Sequence, residues 1–151
     1  MACIIFKNFI INRSRDPKYE NYWVSLDASF KANIKQAVLA TLASNESLVR
    51  TQVANVVAAI ASIEIPRKEW QDLIPNLCTN AEHTEYNVRL ASLTTLGYIC
   101  EELHPDNIDN PLKNSIIIAL TNNISGSTKP EDIEPCRLAS RALIYSVPYS
   151  S

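Results

Sequence analysis

Glycine is almost missing from this chain, with only Gly97 and Gly126 among 151 residues. Phosphate-cradling loops and dinucleotide turns need closely spaced glycines, because a bare backbone lets amides approach a phosphate. That chemistry has no material here. An excess of one charge is missing too. Fourteen Lys and Arg stand against sixteen Asp and Glu, a net charge of −2, which leaves no electrostatic footprint for nucleic acid or an anionic membrane. The longest charge-free apolar stretch, residues 51–63, contains Asn55 and is too short to insert across a bilayer. It reads as a buried helix. No basic stretch followed by a long apolar core opens the chain, so nothing points to a secretory leader.

Paired cysteines are also lacking. Cys3, Cys78, Cys100 and Cys136 show no Cys-x-x-Cys spacing. Three lie inside apolar helical runs and Cys136 opens another, so they read as reduced thiols packed as small hydrophobes, suited to a cytosolic or nuclear protein. His83 lies in a polar turn and His104 precedes Pro105. Neither has a spaced second ligand or a nucleophile beside it. The acidic residues are scattered, with no paired-carboxylate motif. The sequence therefore predicts no enzyme, no metal and no cofactor.

What is present is a repeated pattern. Val49-Arg50-Thr51-Gln52-Val53, Val88-Arg89-Leu90-Ala91-Ser92 and Cys136-Arg137-Leu138-Ala139-Ser140 each open an apolar run, with the Arg recurring after 39 and then 48 residues. A period of about 40 residues with two helices per unit is the signature of a HEAT or armadillo solenoid. Each unit of such an array buries its core against its neighbours and presents an extended surface in place of a pocket. The expectation is an all-α HEAT-repeat solenoid that binds other proteins.

Periodicity and breakers place the elements. Residues 1–11 read as a helix, ended by the polar stretch around Pro17. Helical spacing returns over 19–43, and Ser47 is placed to cap a helix over 48–63 that Pro66 stops. Further helices are predicted over 69–78, with Pro75 near its first turn, and over 87–103, 111–124 and 136–147. Ile116-Ile117-Ile118 has strand propensity, but its flanks favour helix. Gly97 falls inside an apolar stripe, where a glycine permits two helices to approach closely. Trp23 and Trp70 each begin the first helix of a unit and read as core. The repeat units are expected at about 1–18 (partial), 19–66, 67–105 and 106–148.

Longer blocks then resemble one family. Ile60-Ala61-Ser62-Ile63-Glu64-Ile65-Pro66, followed by Trp70, Leu73, Ile74, Pro75 and Leu77, is similar to a segment of the importin-β nuclear transport receptors. So are Leu96-Gly97-Tyr98-Ile99-Cys100-Glu101-Glu102, Phe6-Lys7-Asn8, Tyr22-Trp23-Val24-Ser25-Leu26-Asp27 and Arg137-Leu138-Ala139-Ser140-Arg141-Ala142-Leu143. The blocks occur in family order and correspond to the second helix of the first HEAT repeat through the fourth. Tyr22 stands where the family has Arg, and Asn12-Arg13 looks like a small insertion.

The resemblance implies a segment of a nuclear import receptor found in cytoplasm and nucleus and at the nuclear pore. It implies binding of the small GTPase Ran in its GTP form through the second helices, on a concave face. Importin-α or cargo and phenylalanine-glycine nucleoporins are the other partners of full-length relatives, mostly through regions beyond this match. The Ran-contact candidates it implies are Lys7, Asn8, Arg15, Glu64 and Glu102. Solvent exposure is the plain alternative for Lys7, Asn8, Arg15 and Glu102. For Glu64 the alternative is neutralisation by Arg67 or Lys68, since a carboxylate at a helix C-terminus opposes the helix dipole. A generic HEAT scaffold or regulatory subunit is the competing reading of the whole chain.

Overall fold

The computed structural model describes residues 22–150. The helix expected over 1–11, with Cys3, Lys7 and Asn8, lies outside the described residues, as does Arg15. The described residues are helical, without strands. They form α1 (Tyr22–Ser25), α2 (Ala28–Thr41), α3 (Ser47–Glu64), α4 (Leu73–Asn80), α5 (Tyr86–Glu102), α6 (Asn110–Ser125) and α7 (Ile133–Ser146). Single 3-10 turns sit at Ile65–Arg67, Pro105–Asn107, Pro130–Asp132 and Val147–Ser150.

The helices stack in two layers. In one layer α3 packs on α5 and α5 on α7; α2, α4 and α6 cover them, each packed on the helix that follows it. The long helix α3 is rich in alanine, the best helix former, and Val53, Val57, Ala58 and Ala61 join the main core with Leu93, Leu96, Ile99, Ile116 and Leu120. Each fully buried Leu or Ile contributes roughly 1.5–3 kcal/mol of transfer free energy. By length and apolarity the span Ser47–Arg67 would suffice to cross a bilayer, unlike the shorter 51–63 stretch. Most of its apolar side chains are covered by neighbouring helices, with Val56, Val57, Ala59 and Ile60 essentially inaccessible, while Leu48 and Val49 in its first turn are exposed.

Polar groups inside these helices are satisfied locally. Asn55 donates to the carbonyl of Thr51 at 3.1 Å, and Thr95 to that of Ala91 at 2.7 Å. The Ile116–Ile118 run lies in α6, and Pro75 and Pro135 fall in the first turns of α4 and α7.

Three boundaries differ from expectation. The helix predicted over 19–43 is broken at Leu26-Asp27, because the Asp27 carboxylate accepts from the amides of Ser29 (3.0 Å) and Phe30 (3.3 Å) and starts α2 afresh. Ser47 is the first residue of α3, and its N-cap position is held by Glu46 without a side-chain bond. Helix α4 begins at Leu73, so Trp70 precedes it in an irregular segment. The cause is a sharp reversal after α3: Lys68 (φ 64°) and Trp70 (φ 53°) both have left-handed backbones.

Candidate interaction surface

Two of the three arginines that mark the repeat, Arg50 and Arg89, build polar links between successive turns, and the third, Arg137, pairs within its own helix. Arg50 donates to the carbonyls of Ser44 (2.7 Å) and Asn45 (3.0 Å) and reaches the Oδ1 of Asn87 at 3.5 Å. The Asn87 amide in turn donates to Asn45 at 2.7 Å. Arg89 pairs with Asp132 at 3.6 Å. Burial raises the pKa of the Asp132 carboxyl, but the amides of Thr128 and Lys129, with Arg89, outweigh it and hold the group below its ordinary range. Arg137 makes a two-pronged bond to Glu134 at 2.9 and 2.5 Å, which lowers the Glu134 pKa.

Further bonds join the segment between Ala81 and Leu103 to the part of the chain that follows it. Asn123 donates to the carbonyl of Ala81 at 3.0 Å, Asn122 to Glu82 at 2.6 Å, and the Tyr149 hydroxyl to the carbonyl of Leu103 at 2.9 Å. These partners stand 42, 40 and 46 residues apart, one repeat in each case. Such links set the spacing of the repeats and involve no reactive group. The histidines serve turns as well: His83 accepts from the amide of Glu85 at 3.0 Å and His104 from that of Asp106 at 3.3 Å.

The structure brings Glu64, Trp23, Lys35 and Trp70 together. Glu64 ends α3 with no exposed surface. Its Oε1 accepts from the Trp23 indole at 3.0 Å and its Oε2 from Lys35 Nζ at 2.8 Å. Lys35 also lies 5.1 Å from the centre of the Trp70 ring. This corrects two expectations. The carboxylate faces inward, so it is not a surface for Ran. The cation that neutralises it is Lys35 from α2, while Arg67 lies 3.9 Å from Glu69 on the surface and Lys68 is exposed. A carboxylate of low exposure needs a partner to remain ionised, but nothing in the local sequence says which turn supplies it.

Glu102 closes α5 half-buried, beside the exposed Glu101. It sits at the C-terminal end of α5, as Glu64 does on α3. The packing role expected of Trp23 is what the structure displays, at 1% exposure. Trp70 is half-buried between the two apolar clusters. An open groove of about 360 Å³ separates α2 from α4 and α5, lined by Leu39, Leu42, Trp70, Leu73, Leu77, Val88 and Ala91 among others.

With the fold in view, its relatives can be placed. The HEAT repeat family matches residues 73–103, the α4–α5 pair. Importin subunit beta-1 of Arabidopsis thaliana is 33% identical over 147 residues, covering 96% of this chain and 17% of that protein. Importin subunit beta-1 of Schizosaccharomyces pombe is likewise 33% identical over 147 residues, covering 95% and 17%. The solved structure of yeast importin-beta, Kap95p, superposes with a TM-score of 0.81 at 30% identity, over 98% of this chain and 18% of that one. Its relative in the Kap95:Nup1 complex gives 0.78 at the same identity and coverage. The chain thus spans under a fifth of the length of the relatives it matches. Its likeness runs through nearly all of its own length in both sequence and fold, and the chain is an importin-β HEAT-repeat segment, of the N-terminal repeats.

Proposed function

We propose that this chain acts in nuclear protein import, as the part of an importin-β-type receptor that binds Ran-GTP through its second helices, α3, α5 and α7. The observation that carries the reading is the 33% identity to importin subunit beta-1 along 96% of the chain. The chemistry required is recognition alone: a row of helices presenting side chains such as Glu102 to a partner whose nucleotide orders its switch segments. Glu102, at the end of α5, is the described residue proposed for that contact. Lys7, Asn8 and Arg15 are proposed for it on the family resemblance. Glu64 supports the surface from inside.

Importin-α or cargo and phenylalanine-glycine nucleoporins are proposed as partners of the longer receptor type; the Kap95:Nup1 complex supports the second. Residence in cytoplasm and nucleus, with passage through the pore, follows from the same reading. Titration of the full chain with Ran in both nucleotide states tests it. The expected result is binding selective for the GTP form, weakened more than tenfold by Lys7→Glu with Asn8→Ala, since a lost charged contact at an interface costs roughly 2–5 kcal/mol. Equal binding of both forms, or none, rejects the proposal and leaves a generic HEAT scaffold.

A further inference from the structure

We propose that Glu64 is an electrostatic latch that holds α1 and α2, as one separately opening unit, on the rest of the solenoid. Helix α2 has no buried residue along its fourteen positions. Its partly buried Ile34 and Val38 rest on a small satellite cluster of Trp23, Val56 and Ile60, in which Trp23 comes from α1 itself, and Val38 also packs on the main core. The groove of about 360 Å³ keeps α2 apart from α4. Beyond the buried Trp23 ring, hydrophobic area therefore ties α2 less firmly than it ties α3, α5 and α7, and segments of low burial are the ones that open first.

Beside that apolar contact stands a concentrated polar one. Both oxygens of a wholly buried carboxylate are spent on this unit, one on Trp23 of α1 and one on Lys35 of α2. Loss of either donor while the unit is closed leaves a buried charge short of its partner, which is strongly unfavourable. The same Lys35 lies over Trp70, whose left-handed backbone is a conformation that side chains other than glycine rarely hold unaided. Closing the latch thus also braces the strained turn between α3 and α4. Leu42, just after α2, is buried in the main core and marks where the unit ends.

Segment-resolved hydrogen exchange on the full chain tests this. In the wild type, α2 amides exchange at least tenfold faster than those of α5. Lys35→Met raises α2 exchange at least tenfold further and leaves α5 and α7 unchanged. Adding Glu64→Gln to Lys35→Met removes the stranded charge while retaining an acceptor for Trp23, and recovers at least half of that increase on a logarithmic scale. Arg67→Met, which touches only surface charge, has no effect. The proposal is overturned if Lys35→Met speeds all helices equally, leaves α2 unchanged, or prevents folding, because a local latch leaves α3 to α7 intact.

Discussion

Trp70 and the buried thiols carry the lessons at the scale of single residues. The sequence pattern reads Trp70 as the first core residue of a helix. It stands before that helix, half-buried and left-handed, because the chain must reverse sharply after Pro66. Cys100 is buried and Cys78 partly so, and both are free. Burial, with a smaller contribution from Glu82, pushes the Cys78 thiol from 9.0 up to about 11. Burial, with a smaller contribution from Cys78, pushes Cys100 up to about 12. The unfolded chain releases these protons near 9, whereas the folded chain holds them, so their stabilisation is complete below that pH. It falls as pH rises above 9 and is fully lost once pH has risen through about 11 for Cys78 and about 12 for Cys100. Urea denaturation between about pH 8 and about pH 10 should find stability falling by at most roughly 1.4 kcal/mol per thiol for each unit above 9. The slope should diminish in Cys100→Ala. A flat profile would mean that water reaches these thiols in the folded state.

Among the elements, the contact of α5 with α7 is set by small residues. An added Cβ at Gly97 would lie 3.4 Å from the Cβ of Ala142 and 3.7 Å from its Cα, which is ordinary van der Waals contact. Glycine here permits the close approach that the apolar stripe suggests, yet one methyl still fits. Gly97→Ala should then be neutral or stabilise by up to about 1 kcal/mol, through helix propensity. Gly97→Leu should push α7 away and cost roughly 1–3 kcal/mol. Chemical denaturation of the two variants decides the matter. A loss above 1 kcal/mol for the alanine would show that the helices are packed too tightly to take it.

At the scale of the whole molecule, the three Arg-marked helices can be compared position by position. Seven and ten residues after Arg50 stand Val57 and Ile60, and after Arg89 Leu96 and Ile99, all with no exposed surface. The corresponding Ile144 and Val147 after Arg137 are 70% and 63% exposed. The side chains at the corresponding positions are uncovered at the end of α7 and in the turn that follows it. Exposed apolar patches of this kind favour association. Sedimentation of the chain should therefore show self-association that grows with concentration and is reduced by Ile144→Lys with Val147→Lys. A monomer at all concentrations, unchanged by the pair, would show that this patch is too small to drive contact.

Helical content, the order of the elements and the residues of the main core were legible in the sequence, because periodicity, prolines and alanine-rich runs act within a turn or two of chain. The Arg pattern likewise announced the repeat, since each copy opens a second helix that packs on its neighbour. The break at Asp27 was also local and went unread, because a continuous apolar spacing masked the cap. The site of Glu64 was of another kind. Its acidity and place at a helix end were plain, and so was its need for a counter-charge. Its donors, Lys35 and Trp23, lie 29 and 41 residues away, and only the packing of α1 and α2 on α3 selects them over Arg67 and Lys68. A carboxylate's sign is a property of the residue, whereas its partner is decided by which surfaces meet when water is excluded.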